Sequence, residues 1–210
     1  FTGLCPVAAQ DRLYPDPVSQ SPNKNLTTAK SLLIVGTGEN ALPYLDACLY
    51  RQPENREALL LRARIYSNHG MHAEALTDFQ SLVFLEPANM EAKFSAAVAR
   101  YHLSQYEMAL QDFLSLLQDN SIATNTVYYQ VDNRSGVISG VSTISTLQPD
   151  IFNYAGLCHY HLGQSEAALE CLNNGLTSEP TSVKLLQNRA MVYESTGESL
   201  KAIEDYTRLL

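Results

Sequence analysis

Tyr101-His102-Leu103-Ser104-Gln105 runs on to Glu107-Met108-Ala109-Leu110, and 59 residues later Tyr160-His161-Leu162-Gly163-Gln164 runs on to Glu166-Ala167-Ala168-Leu169. Working outward from this echo, small and turn-forming residues recur in step along the chain. Ala41, Ala75, Ala109, Ala168 and Ala202 are separated by 34, 34, 59 and 34 residues. Gly36, Gly70, Ser104, Gly163 and Gly197 repeat the same series, as do Ala29, Ala63, Ala97, Gly156 and Ala190. A fourth column holds rings or Leu at Leu45, Phe79, Phe113, Leu172 and Tyr206, and a fifth is Pro53, Pro87, Ser121 and Pro180. The 59 is one period of 34 plus an insertion of 25, placed between the third and fourth repeats.

Each column has a physical reason. Leu59, Ala63 and Tyr66 recur at helical spacing, and a helix there ends near Gly70, where the chain needs a left-handed conformation to turn. Ala75, Leu76, Phe79, Leu82 and Val83 then form one apolar face of a second helix. Glu86-Pro87 stops it, because proline lacks the amide donor and biases the preceding residue away from helix. Two helices joined by a short turn make an antiparallel hairpin. Ala63 and Ala75 mark the close crossing, with Phe79 beside them.

A period of 34 with this order of small residue, Gly, Ala, ring and Pro resembles the tetratricopeptide repeat family. The resemblance implies an all-α fold: a right-handed α-solenoid of antiparallel helix pairs. Residues 22–55 form a degenerate first unit, in which Lys24 to Val35 is a weak helix and Pro43 interrupts the start of the next. Units two and three are 56–89 and 90–122, unit four is 149–182, and 183–210 is a fifth unit cut before its own stop. The third unit departs from the pattern at Arg100, where a ring or Leu is usual, and lacks the closing Pro. Residues 1–21 are Pro-rich and read as a linker or the tail of a preceding unit. Residues 123–148 do not fit the repeat. Val127 to Val131, Asp132 to Gly136 and Val137 to Val141 can form a β-hairpin, with an irregular loop as the alternative.

The charge of −8, from 22 acidic and 14 basic residues without a basic cluster, speaks against nucleic acid and against an anionic membrane surface. The longest apolar run, Leu32 to Val35, is far too short to span a bilayer. Four scattered cysteines are not a disulfide framework and favour a reducing, cytoplasmic setting; the sequons at Asn25 and Asn133 point the other way. His159 and His161 lie near Cys158, with Cys171 further on, but they lack the paired short motifs of a metal site. No phosphate loop or nucleophile elbow occurs, and Glu74, Asp78, Glu166 and Glu170 read as solvated helix faces. No enzyme, cofactor or metal is expected.

In the family the first helix of each unit lines the concave side, so the resemblance implies a groove for a peptide or helical segment of a partner protein. Matched column by column, it presents Leu60 and Arg64 from unit two, and Phe94, Val98, Tyr101 and His102 from unit three. Unit four adds Asn153, Leu157, Tyr160 and His161, and unit five adds Gln187 and Met191. The repeated Tyr-His pairs serve either the groove or the packing between units. Two alternatives remain: a regulatory or substrate-docking arm of a larger enzyme, and a clamp for a chaperone tail. Asn188 matches one clamp residue, but Asn153 and Leu157 stand where the clamp requires Lys and Asn. The partner's identity and the oligomeric state are not legible.

Overall fold

The structure, a computed structural model, describes residues 16–36, 38–118, 127–131, 138–143 and 147–209. Among these residues there are ten α-helices and two strands. In chain order they are α1 (Pro22–Ile34), α2 (Gly38–Arg51), α3 (Arg56–Asn68), α4 (His72–Leu85), α5 (Met90–His102), α6 (Tyr106–Gln118), β1 (Val127–Val131), β2 (Ile138–Thr143), α7 (Gln148–His161), α8 (Ser165–Ser178), α9 (Val183–Ser195) and α10 (Ser199–Thr207). They fall into two compact units, Phe1–Ala92 and Lys93–Leu210.

In the first unit α1 packs on α2, α2 on α3, and α3 on α4. Ala29, Ala41, Ala63 and Ala75 are fully buried, so the backbones approach at these points, and Leu45, Phe79 and Leu82 fill the remaining space. Asn55 starts α3 by accepting from the Ala58 amide at 3.0 Å. Asn89, one period on, does the same for Ala92 at 2.9 Å. The sequence reading missed this asparagine column.

Pro43 does not interrupt α2; it lies inside a continuous helix. It stands in the second turn, so the bond it forfeits is to the Glu39 carbonyl in an exposed first turn, where solvent can replace it. Ahead of α1, the turn Pro17–Ser19 is strapped down by Arg51, whose guanidinium donates to the carbonyls of Gln20 at 2.7 Å and Val18 at 2.8 Å. Asn25 is fully buried and donates its amide to the Pro17 carbonyl at 2.8 Å. The folded chain therefore does not offer the first sequon to glycosylation; the second, at Asn133, lies outside the described residues.

In the second unit α6 packs on α7, α7 on α8, α8 on α9 and α9 on α10. Gly156 is the small residue of the α7–α8 seam. A Cβ there would stand 2.9 Å from Leu172 Cγ and 3.2 Å from the Ala168 carbonyl oxygen, too close even for alanine. The core continues through Ala168, Leu172, Leu176, Leu185, Leu186 and Val192.

The turn column behaves alike in both units. Gly36, Gly70, Gly163 and Gly197 have φ of 84°, 73°, 75° and 80°, and Ser104 adopts the same left-handed conformation at 59°. Between α6 and α7 the strands β1 and β2 pair antiparallel, Val127 opposite Thr143 and Tyr129 opposite Val141, with an irregularity after Gln130. The insertion thus contains a β-pair, the first of the two expected forms; its expected turn, Asp132 to Gly136, lies outside the described residues.

Candidate functional site

In the first unit, Leu60 is half-buried on α3 and Arg64 is exposed, hydrogen-bonded and ion-paired to Glu91. Lys30, one period before Arg64, pairs with Glu57 at 2.5 Å. Here the predicted groove face carries a ladder of self-neutralised charge.

In the second unit the predicted residues meet more closely. Tyr101 near the end of α5 is a hub, with ring contacts to His102, Tyr106, Tyr154 and His161 at centroid distances of 5.3, 5.6, 5.4 and 5.7 Å. Its hydroxyl stands 3.2 Å from His161 Nε2. His161 also stacks on Tyr106 at 4.5 Å with 9° between the planes, and touches Tyr160 edge-on. Phe94 contacts Phe113 and Tyr154, each at 5.9 Å. The cluster therefore binds α5 and α6 to α7, and the Tyr101 and His161 rings take part in that packing. Phe113 already stands in the ring column of the repeat; the sequence reading missed Tyr106 and Tyr154, whose signal was aromatic character at inward helical positions adjoining the repeated pairs.

Burial, with smaller contributions from Tyr106, Cys158 and Tyr154, pushes the Tyr101 hydroxyl up to about 12. Burial also raises Tyr154. Both stay protonated at neutral pH and serve as polar tips, not bases. Asn153 is 5 % exposed and accepts from the Asn188 amide at 2.7 Å, so it turns inward instead of facing a groove. That bond also occupies the asparagine that matched a carboxylate clamp. Val98, Leu157, Tyr160 and Met191 are half-buried, while His102 and Gln187 are exposed. Val98, Leu157 and Met191 occupy one repeat column on three successive first helices.

Among the described residues no group of three His, Cys, Asp or Glu side chains is placed to hold a metal, and no helix is long and apolar enough to cross a membrane. Burial pushes Cys158 up to about 12 and Cys171 up to about 11, so both are thiols at neutral pH in the folded chain. Asp78, read from sequence as a solvated face, is instead 2 % exposed and held by Arg62 at 2.8 Å.

Residues 66–122 match the family model of the tetratricopeptide repeat. The chain contains tetratricopeptide repeats. It is 28 % identical over 195 residues to the chicken (Gallus gallus) protein DnaJ homolog subfamily C member 3, covering 80 % of this chain and 38 % of that protein. The chain thus spans about two fifths of that relative's length. Its fold is similar to MamA 41-end from Desulfovibrio magneticus RS-1, with a TM-score of 0.71 at 17 % identity, covering 91 % of this chain and 94 % of that one. It is also similar to YrrB, a TPR protein with an unusual peptide-binding site, with a TM-score of 0.62 at 17 % identity over 88 % of this chain and 82 % of that one. These tetratricopeptide arrays share its solenoid-type pairing of helices.

Proposed function

We propose that this tetratricopeptide array is a non-enzymatic scaffold that binds a peptide or helical segment of a partner protein along its first-helix face. One observation carries the reading. Val98, Leu157 and Met191 repeat in one column and remain only half-buried, so apolar surface is kept in register on three successive helices. Half-exposed apolar side chains flanked by Tyr160 and His161 supply contact area with polar tips, which suits a segment of mixed character. YrrB, of like fold, has a peptide-binding site. Free cysteines at Cys48, Cys158 and Cys171 favour a reducing, cytoplasmic setting.

The test compares proteins retained by the wild-type array with those retained by Leu157→Glu/Met191→Glu, with circular dichroism as a check on helicity. The expected result is loss of specific partners with helicity kept; an unchanged partner set rejects the groove. Tyr101 is a poor choice for this test because its ring is built into the packing of three helices.

The likeness to a DnaJ homolog favours a second reading, in which the array is the partner-holding arm of a larger chaperone-associated protein. A J domain encoded in the same gene product would support it; a catalytic domain in that place would favour the arm of an enzyme.

A further inference from the structure

Tyr50 and Phe84 are the most exposed aromatic residues among the described residues, at 88 % and 84 %. They occupy one column of the repeat, at the C-terminal ends of the second helices α2 and α4. Each lies nine residues beyond a fully buried alanine, Ala41 or Ala75, which at ~3.6 residues per turn sets it on the opposite side of its helix. Val18, 71 % exposed, is tied to the same end of α2 through Arg51. Large apolar side chains repeated at matching positions on a surface mark an interaction site more often than scattered single ones do.

We propose that this outer face of the first unit docks an amphipathic helix of a partner protein that carries Lys or Arg beside its apolar stripe. The surface is separate from the first-helix groove and does not depend on it.

Two arguments select the occupant. The first is area: two aromatic side chains and a valine supply on the order of 500 Å², at ~150–250 Å² per ring. A standard interface needs ~800 Å² per partner, so a single helix suits the patch better than a second copy of this chain. The second is charge. In this unit the described arginines are engaged: Arg56 with Glu86, Arg62 with Asp46 and Asp78, Arg64 with Glu91, and Arg51 with two carbonyls. Glu54, four residues beyond Tyr50, lines a cleft of about 440 Å³ with Gln52, Pro53 and Asn55, and among the described residues no arginine or lysine pairs with it. Counted over the described residues of this unit, nine Asp and Glu side chains face six Lys and Arg, a net charge of −3, which attracts a basic helix and repels a second copy of a chain with net charge −8.

The probe is a fluorescein-labelled helical peptide with leucines along one face and lysines on its flanks, titrated against the full chain by anisotropy. Matched peptides replace the lysines by glutamates or the leucines by serines. The proposal expects binding of the leucine-lysine peptide only, weakened roughly tenfold or more by Tyr50→Ser/Phe84→Ser and unaltered by Leu157→Glu/Met191→Glu. Both aromatic side chains are exposed, so the serine variant keeps its fold, checked by circular dichroism. Equal binding by the serine variant overturns the proposal, as does equal binding of the glutamate peptide. Sedimentation that shows the wild type self-associating through this face, and the serine variant failing to, also overturns it in favour of a second copy.

Discussion

Arg62 grips Asp78 with two nitrogens, Nε to Oδ2 and Nη2 to Oδ1, each at 2.8 Å, and extends its third nitrogen to Asp46 at 2.7 Å. Arg189 repeats the arrangement in the last repeats, bonding both oxygens of Asp205 at 2.7 and 2.5 Å and reaching Asn173 at 2.6 Å. Asp46 and Asn173 both belong to the second helix of the preceding repeat, so each arginine ties its own helix pair to the pair before it. In the third repeat the arginine column holds Ala96, and Arg100 one turn later reaches Asp112 instead. The odd residue of that repeat is therefore the same ion pair moved along its helix.

Asp78 is almost wholly buried, so removing its partner strands a charge. Arg62→Ala is expected to cost about 3–5 kcal/mol in urea unfolding, whereas Arg62→Met/Asp78→Leu recovers most of it because no unpaired charge remains. Equal losses in the single and the double variant would show that packing by the arginine stem, not the charge, sustains this contact.

Ser104 and Gly70 test the turn column from opposite sides. An L side chain in the left-handed region costs about 1–2 kcal/mol. Gly70→Ala is expected to destabilise by about 1 kcal/mol although a methyl there touches nothing within 4 Å. Ser104→Gly is expected to stabilise by a smaller amount, since it gives up the 3.3 Å hydrogen bond from the Tyr106 hydroxyl. Thermal melting of the two variants should move in opposite directions.

The α7–α8 seam has no room to spare. Gly156→Ala pushes a methyl against Leu172 and the Ala168 carbonyl and is expected to cost about 1–3 kcal/mol; Ala168→Trp, far larger, is expected to cost at least as much. The same glycine-to-alanine change at Gly163, where a Cβ meets nothing, should act through backbone strain alone. A melting series of the three variants separates crowding from strain.

Burial protects the thiols and the central tyrosine. Cys158 rises from an ordinary 9.0 to about 12 and Tyr101 from 10.0 to about 12. The folded chain therefore holds these protons more tightly than the unfolded chain. Their contribution to stability is complete below about pH 9 and is lost as pH rises through the ordinary values toward 12. Iodoacetamide at pH 8 should leave Cys48 and Cys158 unlabelled until the chain is unfolded, and ultraviolet titration should find a late-ionising tyrosine that disappears in Tyr101→Phe.

Much of the fold was legible because helix pairing demands small residues, turn-formers and stops at fixed intervals. Ala63, Ala75, Gly70 and Phe79 announce their places without any contact being seen. The site was legible only in part. Tyr101, Tyr160 and His161 stood out by repetition, yet repetition does not separate a groove residue from one packed between repeats. Asn153 and Asp78 were misread because a polar side chain at a helical position gives no sign of whether a partner awaits it across the seam.

The amino-acid order alone determined the period, the helix pairs, the left-handed turns and the location of the insertion. These depend on local backbone preference and on the size of side chains at crossings, both written residue by residue. Only the tertiary structure decided which polar groups are buried and paired, which rings interlock around Tyr101, and which, like Tyr50 and Phe84, are left facing water. Those outcomes depend on neighbours distant in the chain, whose approach no single column records.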